Sequence, residues 1–264
     1  MKNMKPNSVL YFCAKRRSGK SVLIRDYLYH HKDIPVGCII SCTEEANPYY
    51  GDFVPKLFIH DEYSPELLAR YIKRQKMVAK MVKDEIKQYG ESRSDPRSFL
   101  ILDDALHDPS WKNDKNIKYC FFNGRHVNTS LLIASQSMLG LQPELRDNID
   151  YVFILKTPYR NQREKLYKHF CSMFPSYDCF SKVLDQCSEN FECMVIDNTQ
   201  NSNKIEDMVY WYKADVHENF RVGAPQFWQY NDQFLDEDGD EEEDFDASSF
   251  QKKNSVPLTV KKLD

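Results

Sequence analysis

The residues most suited to chemistry lie in a short polar turn after the first apolar segment of the chain. That segment, Ser8–Cys13, leads through the turn into Gly19-Lys20-Ser21, and a helical pattern follows. A strand, a phosphate-sized turn, Gly-Lys-Ser and a helix together form the signature of a phosphate-binding loop, or P-loop. The predicted phosphate-binding residues are Ala14, Lys15, Arg16, Arg17, Ser18, Gly19, Lys20 and Ser21.

Each part of this loop has an expected role toward ATP. Backbone N–H groups of the turn and the N terminus of the helix would cradle phosphate oxygens. Lys20 would reach the β- and γ-phosphates, and Ser21 would hold Mg²⁺. Ala14 stands where such loops usually begin with glycine. Alanine fits that turn only if its φ is negative, so the sequence predicts a negative φ at this position.

A second candidate site follows the apolar segment Ser98–Leu102, which ends in Asp103 and Asp104. A buried parallel strand places such acids at its carboxyl end, where open α/β sheets bind ligands. Asp103 would hold Mg²⁺ opposite Ser21, and Asp104 would polarise the attacking water. The alternative is an ordinary strand that ends in acidic turn residues.

A polar residue ends the next apolar segment as well. Thr129–Ser135 reads as a buried strand and is followed directly by Gln136. Beside the nucleotide strand, a side chain at this position can sense the γ-phosphate or orient water. We therefore include Gln136 among the candidate catalytic residues.

The elements that must position these residues alternate along the chain. Apolar runs separated by helical patterns predict an α/β fold with a doubly wound, mainly parallel sheet and helices on both faces. A long helix is predicted from Pro65, capped by Ser64, to Tyr89. Its lysine-rich face is either solvated or faces DNA or another subunit. Two late strands, Glu192–Asp197 and Val209–Lys213, are predicted to form an edge hairpin.

Composition limits the classes of protein that remain. The 264 residues are 41% hydrophobic and contain no apolar run of eighteen residues, so a large core but no membrane span is expected. Eight cysteines without a CxxC pair favour free thiols in a reducing compartment such as the cytoplasm. Residues 232–264 carry 11 acidic and 4 basic residues, which leaves the rest of the chain mildly basic. We predict a P-loop ATPase domain over residues 1–230 and an acidic disordered tail over 231–264.

Taken together, the motifs resemble the genome-packaging ATPases of poxviruses and other large DNA viruses, in the FtsK–HerA superfamily. The matching segments, in order, are AKRRSGKS, FLILDDALHD, FFNGRH, LLIASQ, LRDNIDYVFIL, DQCSENFECMVIDN and VYWYKA. The resemblance implies a P-loop NTPase fold of the RecA/ASCE-like type. It also implies an ATP- and Mg²⁺-dependent motor that pushes double-stranded DNA into a preformed capsid.

The resemblance extends to partners, location and further site residues. It implies a homo-oligomeric ring, hexamer or pentamer, around DNA that is contacted without sequence specificity, and a capsid or membrane-vertex protein as a further partner. The expected location is the viral factory in the host cytoplasm, or the virion. Arg125 and Arg146 both qualify as the arginine finger that a neighbouring subunit supplies. Arg125 is preferred because it lies beside the strand that carries Gln136.

Two other functions are compatible with the motifs. A small-molecule or nucleoside kinase would need an acceptor pocket and usually an arginine-rich lid, for which Arg160 and Arg163 are the available residues. A nucleotide-gated adaptor would bind ATP through its Ala14 loop without hydrolysing it. DNA-stimulated ATP consumption without a phosphorylated acceptor would distinguish the motor from both.

Overall fold

One eight-stranded sheet organises the chain in a computed structural model, which describes residues 1–104, 111, 113–136, 141–202 and 204–234. The strands are β1 (Val9–Cys13), β2 (Val36–Ser41), β3 (Ile59–His60), β4 (Ser98–Asp103), β5 (Thr129–Ser135), β6 (Tyr151–Ile154), β7 (Glu192–Asp197) and β8 (Val209–Lys213). Their order across the sheet is β3-β2-β4-β5-β1-β6-β7-β8. β1 to β6 are parallel, whereas β7 and β8 add as an antiparallel hairpin. The predicted edge hairpin is therefore confirmed.

Helices cover both faces of this sheet. They are α1 (Lys20–His30), α2 (Pro65–Tyr89), α3 (Lys115–Asn123), α4 (Pro143–Arg146), α5 (Arg160–Phe170), α6 (Tyr177–Cys187), α7 (Ile205–Met208) and α8 (Pro225–Phe234). Apolar residues of α1 and of the segment around Phe220 form one core cluster, and α2, α3, α5 and α6 contribute to the cluster on the other face. Burial on both faces explains why the central strands read as continuous apolar runs. The predicted doubly wound α/β fold is confirmed.

α2 shows how local sequence sets the ends of an element. Ser64 accepts a hydrogen bond from the backbone N–H of Leu67, Pro65 takes the first helical position, and Gly90 ends the helix with φ +83°. No α2 residue after Ala79 is buried, so the second half of the helix projects from the body. The exposed lysines along it are Lys73, Lys76, Lys80, Lys83 and Lys87. This exposure fits either a solvated face or a DNA- or subunit-facing one.

α8 lies across the predicted domain boundary. Its Asn231 is buried and accepts the backbone N–H of Lys56 at 2.7 Å, and Trp228 donates to the carbonyl of Val222 at 2.8 Å. The folded part therefore continues past residue 230 to Phe234. The remainder of the predicted acidic tail, 235–264, lies outside the described residues. Among the helices that are described, none has the length and apolar character needed to cross a membrane.

Candidate active site

The P-loop follows β1 and turns through two left-handed residues. The backbone N–H of Ala14 donates to Ser135 of the neighbouring β5 at 3.1 Å, which anchors the start of the loop. Arg17 (φ 60°) and Gly19 (φ 102°) supply the positive φ values of the turn, and Ala14 does not have one. Ala14 is instead buried in the core under the loop. The predicted absence of a positive φ at Ala14 is confirmed, because the left-handed residues of the turn come three and five residues later.

Lys20 is held inside the loop that it follows. This side chain is buried, and its Nζ donates to the carbonyls of Ala14 and Lys15, each at 3.2 Å. Asp104 Oδ1 lies 4.0 Å from the same ammonium. A positive charge is therefore fixed between the loop backbone and the acidic end of β4, where it can neutralise phosphate oxygens.

Asp103 ends β4 in a buried environment. Its Oδ2 accepts a hydrogen bond from the hydroxyl of Tyr50 at 2.7 Å. Burial raises the pKa of Asp103 above its ordinary value, and the Tyr50 hydrogen bond opposes that rise. The same burial, with the Asp103 carboxylate beside it, holds the pKa of Tyr50 well above its usual range, so the hydroxyl remains a donor.

Asp104 and Gln136 meet at the ends of adjacent strands. Gln136 follows β5, which lies between β1 and β4, and its Nε2 donates to Asp104 Oδ2 at 3.0 Å. Asp104 adopts φ 49°, and its backbone N–H donates to Ala134 of β5 at 3.3 Å. Left-handed backbone at a residue other than glycine is a strained feature that concentrates at functional sites. Here it directs a carboxylate away from the strand and towards both Lys20 and Gln136.

A cavity of about 1310 Å³ joins these side chains into one site. Its lining includes Ser21, Asp103, Asp104, Gln136 and the loop residues 16–20. The Ser21 hydroxyl and the Asp103 carboxylate are hard oxygen ligands, which is the donor type that Mg²⁺ prefers. The residues present therefore fit Mg²⁺ together with a nucleoside triphosphate.

Three segments of this site were not assigned to it by sequence reasoning, although two of them lie in DQCSENFECMVIDN and VYWYKA, which carry the family resemblance. Tyr50 contacts Asp103 from a loop after β2, and Asn190 and Phe191 border the cavity before β7. Lys213, Ala214 and Val216 border it at the end of β8. Tyr50 is positioned by Glu44, whose Oε1 accepts the backbone N–H groups of Tyr49, Tyr50 and Gly51 at 2.7–3.0 Å. The only sequence signal for this loop was an acid, Glu44, placed three residues after the end of β2.

A hydrogen-bonded cluster fixes the 213–217 segment to the P-loop helix. The fully buried carboxylate of Asp26 on α1 accepts hydrogen bonds from Tyr212 and from the ring of His217, and the ring of Tyr29 stacks on His217. His30 Nε2 lies 3.5 Å from the same carboxylate. Because both oxygens of the Asp26 carboxylate accept hydrogen bonds, we interpret the cluster as a structural contact that holds the segment between Tyr212 and His217 against α1.

Arg125 does not join the site within one chain. It lies in a short 3-10 helix, Gly124–Val127, before the first residue of β5, whereas Gln136 follows the last. The length of a seven-residue strand, roughly 20 Å, separates the two ends. Burial raises the pKa of Asp150, and the hydrogen bond from the Val9 backbone N–H and then the charge of Arg125 oppose that rise. Proximity to Gln136 therefore does not favour Arg125 as the finger, and its role stays a prediction.

Arg146, Arg160 and Arg163 do not line the cavity either. Arg146 ends α4. Burial lowers the pKa of His169 on α5, and the charge of Arg146 lowers it further. Arg160 pairs with Glu164, and Arg163 pairs with Asp185. Arg160 is exposed and Arg163 is largely buried, and each is engaged in an ion pair, so the two do not form the lid that a kinase would need.

Comparisons with known proteins place the chain among viral proteins. No protein-family model matches it. It is 40% identical over 215 residues to the uncharacterized protein L437 of Acanthamoeba polyphaga mimivirus, covering 81% of this chain and 75% of that protein. It is 32% identical over 240 residues to the uncharacterized protein 088R of Invertebrate iridescent virus 3, covering 88% of each.

The fold is similar to that of solved viral NTPases. The genome packaging NTPase B204 from Sulfolobus turreted icosahedral virus 2, in complex with AMP, aligns with a TM-score of 0.53 at 18% identity, over 81% of this chain and 100% of B204. The same NTPase in complex with ATP-gammaS aligns with a TM-score of 0.50. At this identity the likeness shows that the two chains share a P-loop NTPase fold.

Proposed function

The chain belongs to a family of large-DNA-virus proteins that includes mimivirus L437, and from its site we propose that it is an ATP-hydrolysing motor which translocates double-stranded viral DNA into the capsid during virion assembly. The observation that carries the ATPase part is the convergence of Lys20, Asp103, Asp104 and Gln136 on one cavity at the P-loop. One strand, β5, separates the P-loop strand from the acidic strand and supplies the glutamine.

Each residue of the cavity has a role in phosphoryl transfer to water. Backbone N–H groups of the loop and the Lys20 ammonium neutralise the β- and γ-phosphates. Ser21 and Asp103 would hold Mg²⁺, which neutralises phosphate charge when bound. Asp104 accepts a hydrogen bond from the attacking water and draws off its proton, while Gln136 fixes the orientation of Asp104. Aspartate is one methylene shorter than glutamate, so the water must lie close to the end of β4.

The DNA, ring and capsid parts of the proposal rest on different support. B204, a protein of the same fold, is a genome packaging NTPase, and relatives of this chain are proteins of large DNA viruses. The chain before residue 232 is mildly basic, and the projecting half of α2 carries exposed lysines that could contact phosphates. We propose a homo-oligomeric ring, with a capsid or membrane-vertex protein as further partner, that acts in the viral factory or the virion.

Phosphate release by the full-length chain, with and without duplex DNA, tests this proposal. We expect Mg²⁺-dependent hydrolysis that DNA stimulates, with no labelled phosphate transferred to nucleoside or small-molecule acceptors. Lys20→Ala should abolish turnover, whereas the exposed Lys182→Ala should not. Turnover that survives in Lys20→Ala would refute the site, and label found in an acceptor would indicate a kinase. Tight ATP binding without phosphate release would indicate the adaptor.

A further inference from the structure

The turn before β7 presents an aromatic ring to solvent at the edge of the nucleotide cavity. Phe191 is 71% exposed, although β7 begins at the next residue. Exposing a phenylalanine forgoes the stabilisation that its burial would give. The turn is also short and closed, because the backbone N–H of Glu192 donates to the carbonyl of Glu189 at 2.8 Å.

The backbone of this turn is strained in a way that places the ring. Asn190 has φ 49° and Phe191 has φ 64°, so two successive residues other than glycine are left-handed. Turns of this kind are dominated by glycine, asparagine and aspartate, and Asn190 conforms to that preference. Phe191 does not, because a bulky side chain in the left-handed region is a conformational outlier. Strain together with an exposed ring indicates a function other than stability.

The position of the ring connects it to the P-loop. A Cβ atom built on Gly19 would lie 3.6 Å from Cδ1 of Phe191, so the ring stands directly beside the turn of the loop. Phe191 lines the main cavity together with Lys20 and Asp104. It also lines a smaller depression of about 430 Å³ on the side of Lys15 and Pro158. The ring is therefore accessible from both cavities to a base attached to phosphates in the loop.

We propose that Phe191 is the base-stacking residue of the nucleotide site, which takes the flat aromatic base of a nucleoside triphosphate against its ring. The assignment rests on the proposed function, since it requires that the P-loop binds a nucleotide. Stacking on an aromatic ring tolerates different bases, so Phe191 contributes affinity for the nucleoside and little discrimination between adenine and guanine.

Binding of two polyphosphate ligands, one with a nucleoside and one without, tests the assignment. Calorimetry would measure the affinities of the non-hydrolysable analogue AMPPCP and of inorganic tripolyphosphate, both with Mg²⁺, for the full-length chain. Phe191→Ala should weaken AMPPCP roughly 5- to 150-fold and leave tripolyphosphate unchanged. Phe191→Tyr should restore AMPPCP binding. Tyr89→Ala, which removes a ring that is 70% exposed at the end of α2, is the matched control and should change neither affinity.

The melting temperature provides a second test. If Phe191 served only stability, its replacement would lower the Tm. Phe191→Asn relieves the left-handed strain, so its Tm should equal or exceed that of the wild type while AMPPCP affinity falls. Equal loss of both ligands in Phe191→Ala, or a lowered Tm in Phe191→Asn, would overturn the stacking role alone. A wild-type chain that binds tripolyphosphate and AMPPCP equally would do the same. A wild-type chain that binds neither would overturn the proposed function, and the stacking role with it.

Discussion

Gln136 donates its amide N–H to Asp104 at 3.0 Å, although the two residues lie 32 positions apart in the chain. The bond joins the ends of β4 and β5, and Asp104 reaches it through a left-handed backbone. The amide holds Oδ2 of Asp104, while Oδ1 lies 4.0 Å from the Lys20 ammonium. We expect the pair to act as one unit that orients the attacking water, so its removal should affect the chemical step.

Gln136→Ala should lower kcat for ATP hydrolysis by about 100-fold and change the affinity for AMPPCP less than about twofold. Asp104→Asn should lower kcat at least as much, and the double variant should be little worse than Asp104→Asn, because residues that act as a unit are not additive. Steady-state phosphate release and calorimetry measure the two quantities. Gln88→Ala on exposed α2 is the matched control. A raised KM with unchanged kcat in Gln136→Ala would assign the glutamine to binding instead.

Tyr50→Phe should move the acid limb of the pH–activity profile to higher pH. The Tyr50 hydroxyl stabilises the ionised form of Asp103, so its loss raises the pKa of Asp103 further above the ordinary value. Mg²⁺ requires the ionised carboxylate, and saturating Mg²⁺ should therefore reduce the shift. Tyr210→Phe, whose hydroxyl donates to a backbone carbonyl on the exposed edge strand, is the control. An unshifted limb at low Mg²⁺ would show that Asp103 does not control it.

Tyr50→Phe should also lower the free energy of unfolding by an amount that depends on pH. Because burial raises the folded-state pKa of Asp103, the folded chain holds this proton more tightly than the unfolded chain does. Stability from the protonated form is present at low pH and is lost as pH rises through the folded-state pKa. The deficit of Tyr50→Phe in the free energy of unfolding should therefore be larger at neutral than at acidic pH, as urea denaturation at both would measure.

The Arg125→Ala variant should bind AMPPCP like the wild type. Its loss of hydrolysis should appear only when the ring is assembled. Its position at the amino end of β5 separates it from Gln136 and Asp104 of its own chain, so a catalytic effect must act on a neighbouring subunit. Mixing Arg125→Ala with Asp104→Asn should partly restore phosphate release, because some interfaces then combine an intact finger with an intact base. Arg146→Ala in the same mixing test is the comparison. If neither mixture recovers activity, neither arginine is a finger supplied by a neighbouring subunit.

Sequence reasoning succeeded where local rules decide structure. The Ser64 cap with Pro65 set the start of α2, and the apolar runs that end before Asp103 and Gln136 became buried strands. It failed for Tyr50 and Phe191, which reach the site through loops whose paths depend on tertiary contacts. The bond from Tyr50 to Asp103 spans 53 positions, and no spacing along the chain encodes it. α8 was missed for a similar reason, since Asn231 is buried against Lys56 from a distant segment.

Gly37→Ala should destabilise the sheet that carries the acidic pair. Gly37 of β2 lies opposite Phe99 of β4, and a Cβ atom at Gly37 would lie 2.0 Å from two ring atoms of Phe99. Phe99 is fully buried, so the ring has no free space into which it can move. We expect a loss of about 1–3 kcal/mol in the free energy of unfolding, as for other overpacked cores. Urea denaturation measures it.

A smaller side chain opposite Gly37 provides the internal check on this mechanism. Phe99→Leu alone leaves space over Gly37, and the double variant Gly37→Ala/Phe99→Leu should be more stable than the sum of the two single losses predicts. Gly51→Ala is the matched control, because the nearest atom to its added Cβ, Glu44 Oε1, lies 3.9 Å away. It should unfold at nearly the wild-type urea midpoint. Additive losses in the double variant would show that the Phe99 ring is not the atom group that excludes a side chain at Gly37.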